Sequence, residues 1–212
     1  DQLLIRNESF KLFSDGLRRF IIGLAKKVII ANNVAILADA VFNNNPTNFG
    51  TIEVWLATLV YTFQIYFDFS GYSDMAIGLG KMFGFKFLEN FNYPYISKSI
   101  TDFWRRWHIS LSSWFKDYVY IPLGGNRVSI IKWIRNILIV WFITGLWHGA
   151  SWNFVIWGVY FAFILILEKL FLKKILIKLP KTIQHFYSII LIMIGWVIFR
   201  VEDLETMLQF LS

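Results

Sequence analysis

The sequence predicts an all-α, polytopic membrane protein: a bundle of transmembrane helices supplemented by interfacial and re-entrant ones. Three observations carry that prediction. Of the 212 residues, 57% are hydrophobic, 19% aromatic and only 17% charged, whereas soluble domains carry roughly 25% charged and about 45–50% apolar residues. The runs 150–167 and 182–199 hold no Asp, Glu, Lys or Arg, and each is long enough to cross a hydrocarbon core, which takes roughly 17–25 helical residues. Lys and Arg concentrate in alternate connecting segments, the asymmetry that orients membrane helices.

Composition also removes several function classes. With no cysteine in the chain, disulfides, thiolate metal sites and cysteine nucleophiles are excluded. The net charge of +7 comes from basic residues beside apolar runs, where anionic lipid headgroups rather than nucleic acid are the expected partner. The chain opens on Asp1 without a charged-then-apolar leader, and a new amphipathic pattern begins shortly before Ser212. Residues 1–212 are therefore expected to form a single membrane-embedded core, an internal piece of a longer protein.

Taken in order, LRRFIIGLAKKVII, residues 17–30, predicts a helix lying in the membrane surface. At about 100° per residue, Arg18, Arg19, Lys26 and Lys27 fall on one side and Leu17, Phe20, Leu24 and Val28 on the other. NNNPTNFG, residues 43–50, has turn chemistry. After Glu53 an apolar stretch, 54–80, predicts a crossing helix that carries Asp68 and Asp74. In TDFWRRWHISLSSWFKDYVY, residues 101–120, the side chains of Trp104, Trp107, Leu111, Trp114 and Tyr118 recur at three- and four-residue steps, one stripe of a single interfacial helix. PLGGNR, residues 122–127, is a tight turn. The uncharged run 136–147 is too short to span unless it extends back past Lys132 and Arg135.

Orientation follows from the charges. Residues 81–135 and 168–181 hold most of the Lys and Arg, while 43–52 and 148–152 hold none, so both basic segments are expected on the cytoplasmic side. His148 lies thirteen residues beyond Arg135, roughly 20 Å of helix into a core about 30 Å thick. It is expected past the midplane, where the helix breaks at Gly149. Broken backbone at that depth requires protein or a watery cavity around it.

An ionisable ring at that depth is functional by default, and a neutral imidazole suits general-base chemistry near neutrality. His148 is the first candidate, with Gly145 and Gly149 allowing close approach of backbone or substrate. His108, on the edge of the aromatic stripe, is a candidate for orienting substrate or lining the cavity. Asp68 and Asp74 fall on different helical faces and are expected in structural pairs with an arginine such as Arg105 or Arg106. Three histidines without ligand spacing argue against a metal, and no bound cofactor is expected.

The residues YFDFSGYSDMAIGLGKMFGFKFLENFNYPYISKSITDFWRRWHISLSSWFKDYVYIPLGGNR, 66–127, followed by TGLWHGASWNFVIWG, 144–158, resemble the membrane-bound O-acyltransferase family. Within it they are most similar to the alginate O-acetyltransferase branch. GLRRFIIGLAKKVIIANNVA, 16–35, and GWVIFRVEDLETML, 195–208, extend the resemblance over nearly the whole chain. The teichoic-acid D-alanyl transferases share the FWRRWHISLS-like segment and form the alternative. The resemblance implies helices around a central tunnel, with His148 as the essential catalytic residue and His108 as the other shared histidine. It implies a cytoplasmic thioester donor, acetyl-CoA, and delivery of acetyl across an inner or plasma membrane. The implied recipient is an exported polysaccharide or an extracytoplasmic acetyltransferase. Substrate-binding candidates are Arg105 and Arg106, suited to CoA phosphates, together with Trp147, Asn153 and Asp68. Two other classes compete. A transporter predicts flux without chemical change, and a scaffold for an exported acetyltransferase predicts that His148 is dispensable.

Overall fold

The computed structural model describes residues 2, 6 and 8–211, and every regular element among them is helical. Among the described residues, four helical stretches are long and apolar enough to cross a membrane: Phe10–Phe42, Ile130–His148, Trp152–Leu176 and Lys181–Arg200. The chain divides into two compact units, Asp1–Asn90 and Phe91–Ser212.

In the first unit, α1 (Phe10–Ala25) runs through a π-helical segment, Lys26–Ala31, into α2 (Asn32–Phe42). Ser9 caps α1, its side chain accepting from the Leu12 amide at 3.1 Å. Pro46 opens a short 3₁₀ turn in the expected 43–50 loop. The next helix, α3 (Thr51–Met82), begins where the Gly50 amide donates to Glu53 Oε2 at 2.7 Å.

Helices α1 and α3 pack antiparallel with their backbones in contact, Gly16 opposite Gly78 and Gly23 opposite Gly71. A Cβ on Gly16 would lie 2.6 Å from Gly78 O, and one on Gly23 2.5 Å from Gly71 O. Small residues of this kind let membrane helices approach where no hydrophobic force between them exists. The approach brings ion pairs into reach: Asp74 takes Arg19 at 2.8 Å and Lys26 at 2.6 Å, Lys27 pairs with Asp68, and Arg19 also grips Glu89. The Arg19 hydrogen bond holds the Glu89 carboxyl below its usual range.

Three expectations change here. Residues 17–30 are part of a 33-residue helical stretch that qualifies as a span, rather than a surface helix. Its apolar residues Leu17, Leu24 and Val28 are exposed, while Arg19 and Lys26 are turned onto α3. The amphipathic pattern is real, but the charged side faces carboxylates rather than headgroups, and pairing offsets much of the cost of burying charge. The partners of Asp68 and Asp74 are accordingly Lys27, Arg19 and Lys26, not Arg105 or Arg106. α3 itself, expected to cross, is not among the four apolar stretches; Gln64, Asp68 and Asp74 lower its hydropathy.

The second unit begins with α4 (Ile100–Trp104) and α5 (Ile109–Phe115), followed by a π-helical turn, Lys116–Tyr120. Residues 101–120 are thus not one helix. The chain breaks at His108, whose φ of 46° and ψ of 54° are left-handed. The aromatic stripe divides with it: Trp107 is 4% exposed, while Trp114 and Tyr118 are exposed.

The expected tight turn is present, with Gly124 and Gly125 at φ of 96° and 54°. It is fastened by buried Asn136, which donates to Leu123 O at 3.0 Å, and by Lys169, which donates to Asn126 Oδ1 at 2.7 Å and caps the Trp133 ring at 3.9 Å.

Next come α6 (Ile130–His148) and α7 (Trp152–Leu167). The former does extend back past Arg135 and Lys132 and ends at His148, as the length argument requires. The two form an antiparallel hairpin in which Gly145 abuts the Phe154 carbonyl, 2.5 Å from where its Cβ would stand, and Gly158 abuts that of Trp141. Gly145 therefore serves helix packing rather than substrate approach. A π turn, Glu168–Leu172, leads to α8 (Lys173–Leu176); α9 (Lys181–Arg200) returns beside α7, and α10 (Leu204–Leu211) completes the unit. Glu168, 2% exposed, is the one charged side chain in the buried interior of this unit among the described residues. Its Oε1 accepts from the Ile100 amide at 2.7 Å, and its Oε2 from the Thr101 amide at 2.9 Å and the Thr101 hydroxyl at 2.6 Å.

Candidate active site

His148 occupies the last position of α6, immediately before Gly149. Its ring sits in a cluster of aromatics drawn from the hairpin and from α9. The Trp157 ring centroid is 5.0 Å away and that of Phe199 5.1 Å, both edge-on, with Phe154 at 6.1 Å. Trp147, beside it in sequence at 5.0 Å, also meets the ring of His108 at 6.2 Å. The structure thus brings the two candidate histidines to one aromatic side chain, although forty residues separate them in the sequence.

His108 reaches this place because the chain leaves the helix there. A non-glycine residue in the left-handed region costs about 1–2 kcal/mol and persists only where the surroundings hold it. α4 supplies much of that hold. Phe103 is fully buried, and Trp104 meets Trp141 at 4.7 Å, Phe161 at 4.9 Å and Trp157 at 5.6 Å. Asn92 brackets the following turn, its amide donating to Arg106 O at 2.9 Å. The Nδ1 of His108 lies 3.3 Å from the Ser110 hydroxyl. Burial, with a smaller contribution from His148, lowers the His108 pKa to about 4, so the ring is neutral at physiological pH.

Three polar atoms in the same cluster stand out. Among the described residues, the Nε1 atoms of Trp104 and Trp157 and the Oδ1 of Asn153 are buried without a hydrogen-bond partner. Asn153 is fully buried, and its amide is oriented by donation to Phe199 O at 2.8 Å, which leaves the carbonyl oxygen as the orphan. Asn153 and Trp157 lie four residues apart on one face of α7, the face toward His148. An unpaired buried polar group is costly and calls for an explanation. Next to a candidate reacting group, the natural one is a contact completed by a reactant.

The remaining candidates differ in what engages them. Arg106 is held by Asp102 at 3.0 Å and reaches Asn92 O at 3.3 Å, while Arg105 is exposed. Asp68 belongs to the first unit and carries Lys27. Trp147 is 57% exposed and is a wall rather than a core residue. Among the described residues no group of His, Asp and Glu is placed to hold a metal ion. The sequence reading missed Trp157 and Phe199 as neighbours of His148. The i, i+4 spacing from Asn153 was an available signal for Trp157; nothing local marks Phe199.

Comparison with known proteins places the chain in a family. The model of the membrane-bound O-acyltransferase family matches residues 4–200. The chain is 50% identical over 206 residues to a probable alginate O-acetylase AlgI of Azotobacter vinelandii, covering 97% of this chain and 41% of that protein. It is 46% identical over 200 residues to a peptidoglycan O-acetyltransferase of Helicobacter pylori, covering 93% and 38%. To a teichoic acid D-alanyltransferase of Bacillus subtilis it is 37% identical over 161 residues, covering 72% and 38%. The chain spans about two-fifths of the length of these relatives. It is a multi-pass membrane chain, and it belongs to the membrane-bound O-acyltransferase family.

Proposed function

We propose that the full-length protein is a membrane O-acetyltransferase. In this reading it takes acetyl from a cytoplasmic thioester, acetyl-CoA, and passes it across the cell's inner or plasma membrane for O-acetylation of an exported polysaccharide of the alginate kind. The observation that carries the reading is the placement of His148: an imidazole at the broken end of a membrane-spanning helix, beside a second histidine and three unpaired polar atoms. The basic segments 81–135 and 168–181 support a cytoplasmic face, and a tunnel joining the two compartments at His148 is part of the proposal.

The chemistry asked of the protein is modest. The hydroxyl oxygen of the acceptor attacks the thioester carbonyl carbon while neutral His148 takes the hydroxyl proton. The tetrahedral intermediate then expels the CoA thiolate, which recovers that proton from the imidazolium, leaving an acetyl ester and a free thiol. The indole N–H groups of Trp157 and Trp104 are the donors available to a developing oxyanion, and Asn153 Oδ1 is the acceptor available to a reactant hydroxyl or an imidazole N–H. His108, neutral and beside Trp147, orients the reactants. Arg105 is the remaining candidate for CoA phosphates, since Arg106 is already engaged by Asp102.

The identity to the peptidoglycan O-acetyltransferase, 46% over 93% of the chain, favours peptidoglycan as the second reading of the acceptor. The D-alanyl transferase covers less of the chain at lower identity. The test is acetyl transfer by purified full-length protein supplied with radiolabelled acetyl-CoA and either polysaccharide. His148→Ala is expected to reduce transfer by at least about 10²–10⁴-fold, the range for a lost general base. Transfer near the wild-type rate would remove His148 from the mechanism, and flux of unmodified substrate would favour a transporter.

A further inference from the structure

We propose that Glu168 is a positioning residue for this site, acting through α4 on His108; the inference rests on the functional reading above. Glu168 is a carboxylate with 2% of its surface exposed, in a unit with three described helical stretches long and apolar enough to cross a membrane. Such a group ordinarily takes a cation, yet among the described residues Glu168 has no ion pair. Its neighbour Lys169 is committed to Asn126 and the Trp133 ring. Four donors occupy the two carboxylate oxygens instead: the amides of Ile100 and Thr101, the Thr101 hydroxyl, and the Tyr187 hydroxyl at 3.2 Å. Ser99 Oγ takes the next amide, that of Asp102, at 3.0 Å. The first three amides of α4 are therefore all satisfied, two of them by a side chain nearly seventy residues away.

This attachment matters because α4 has five residues. A helix so short has no stability of its own, so its position is whatever its anchors impose. Glu168 fixes the N-terminal end. From the other end extend Trp104, packed on Trp157 beside His148, and then the turn that places His108 in its left-handed conformation against Trp147. Any shift at Ile100 is transmitted over a single rigid turn to the neighbours of both histidines. A cap whose only purpose was to end a helix would be supplied by Ser99 alone; the buried carboxylate adds an absolute position relative to the π turn after α7, which carries Glu168, and to α9, which carries Tyr187.

The test compares Glu168→Gln with wild type in the full-length protein. The amide retains one acceptor and presents N–H groups to donors, so the cap is half lost while shape is kept. We expect the kcat for acetyl transfer to fall about tenfold or more with KM for acetyl-CoA within about twofold, and the same substitution to add less than about twofold in a His108→Ala background. An equal loss in both backgrounds would overturn the proposal, because a general loss of structure multiplies whatever residue 108 is. Thr101→Val, which removes one donor and leaves the carboxylate intact, is the milder variant should Glu168→Gln not insert; its smaller loss must vanish in the His108→Ala background in the same way. A second readout needs no activity. With histidine labelled at Cε1, the His108 resonance, assigned by its disappearance in His108→Gln, is expected to shift in Glu168→Gln or Thr101→Val. An unmoved His108 resonance would refute the positioning role even if acetyl-CoA proved to be the wrong donor.

Discussion

The two units house carboxylates in apolar surroundings in opposite ways. In the first, Asp74 and Asp68 on α3 meet Arg19, Lys26 and Lys27 on the neighbouring helical stretch, so charge is neutralised by charge across a glycine-lined seam. In the second, Glu168 has no cation among the described residues and is spent on the backbone amides of a five-residue helix. The ion pairs hold two long elements together. The capping carboxylate defines where a short element sits, and that element carries the turn bearing His108. Pairing provides cohesion; capping provides position, and the candidate chemistry lies beside the second.

The comparison can be broken at several points. The largest structural effect is expected for Gly158→Leu, which drives a side chain into the Trp141 carbonyl of the hairpin carrying His148. A loss of about 3 kcal/mol or more, the top of the range for overpacking, should appear as failed insertion or a sharply lowered thermal midpoint. Asp74→Asn should come next. It strands Arg19 and Lys26, whose side chains are 22% and 28% exposed around an Asp74 only 14% exposed. Breaking a buried pair costs about 3–5 kcal/mol, and the partial exposure places this one near the lower end. Asp68→Asn should cost below about 1 kcal/mol, since Lys27 and Asp68 are 42% and 47% exposed. Chemical denaturation of the two variants side by side sharpens the contrast. A cost for Asp68→Asn as large as for Asp74→Asn would put Asp68 in hydrocarbon rather than water.

A smaller effect depends on pH. The His108 ring has its pKa lowered from 6.5 to about 4, so the unfolded chain binds a proton there that the folded chain refuses. Stability from this group is full above the unfolded value and is lost as pH falls from about 6.5 toward 4. The slope of thermal midpoint against pH in that window should be shallower in His108→Phe than in wild type. An identical slope would mean that His108 is not buried as described.

Much of the fold was legible because hydropathy is local. The runs 150–167 and 182–199 became Trp152–Leu167 and Lys181–Arg200, and the short run before His148 lengthened past Lys132 and Arg135 as bilayer thickness demands. What failed depends on distant partners. The period of residues 17–30 gives two faces but cannot say whether the charged one meets headgroups or carboxylates some fifty residues on. The stripe from Trp104 to Tyr118 keeps its helical spacing straight across the break, and no Gly or Pro marks His108, because tertiary packing imposes the left-handed turn. The end of α6 at His148, which makes that residue a candidate, was legible from the apolar run and the Gly149 that follows it. The unpaired Trp104 and Trp157 nitrogens and the Glu168 cap were not, since each is defined by atoms from several helices.

The proposed mechanism requires that the His148 imidazole be reached from both sides of the membrane. The most direct measurement uses full-length protein in sealed vesicles, with labelled acetyl-CoA confined to the compartment facing the basic segments and polysaccharide confined to the other. Acetyl ester on the polysaccharide is expected with wild type, and none above background with inserted, folded His148→Ala. Equal ester formation by the two proteins, or formation only when donor and acceptor share a compartment, would contradict it.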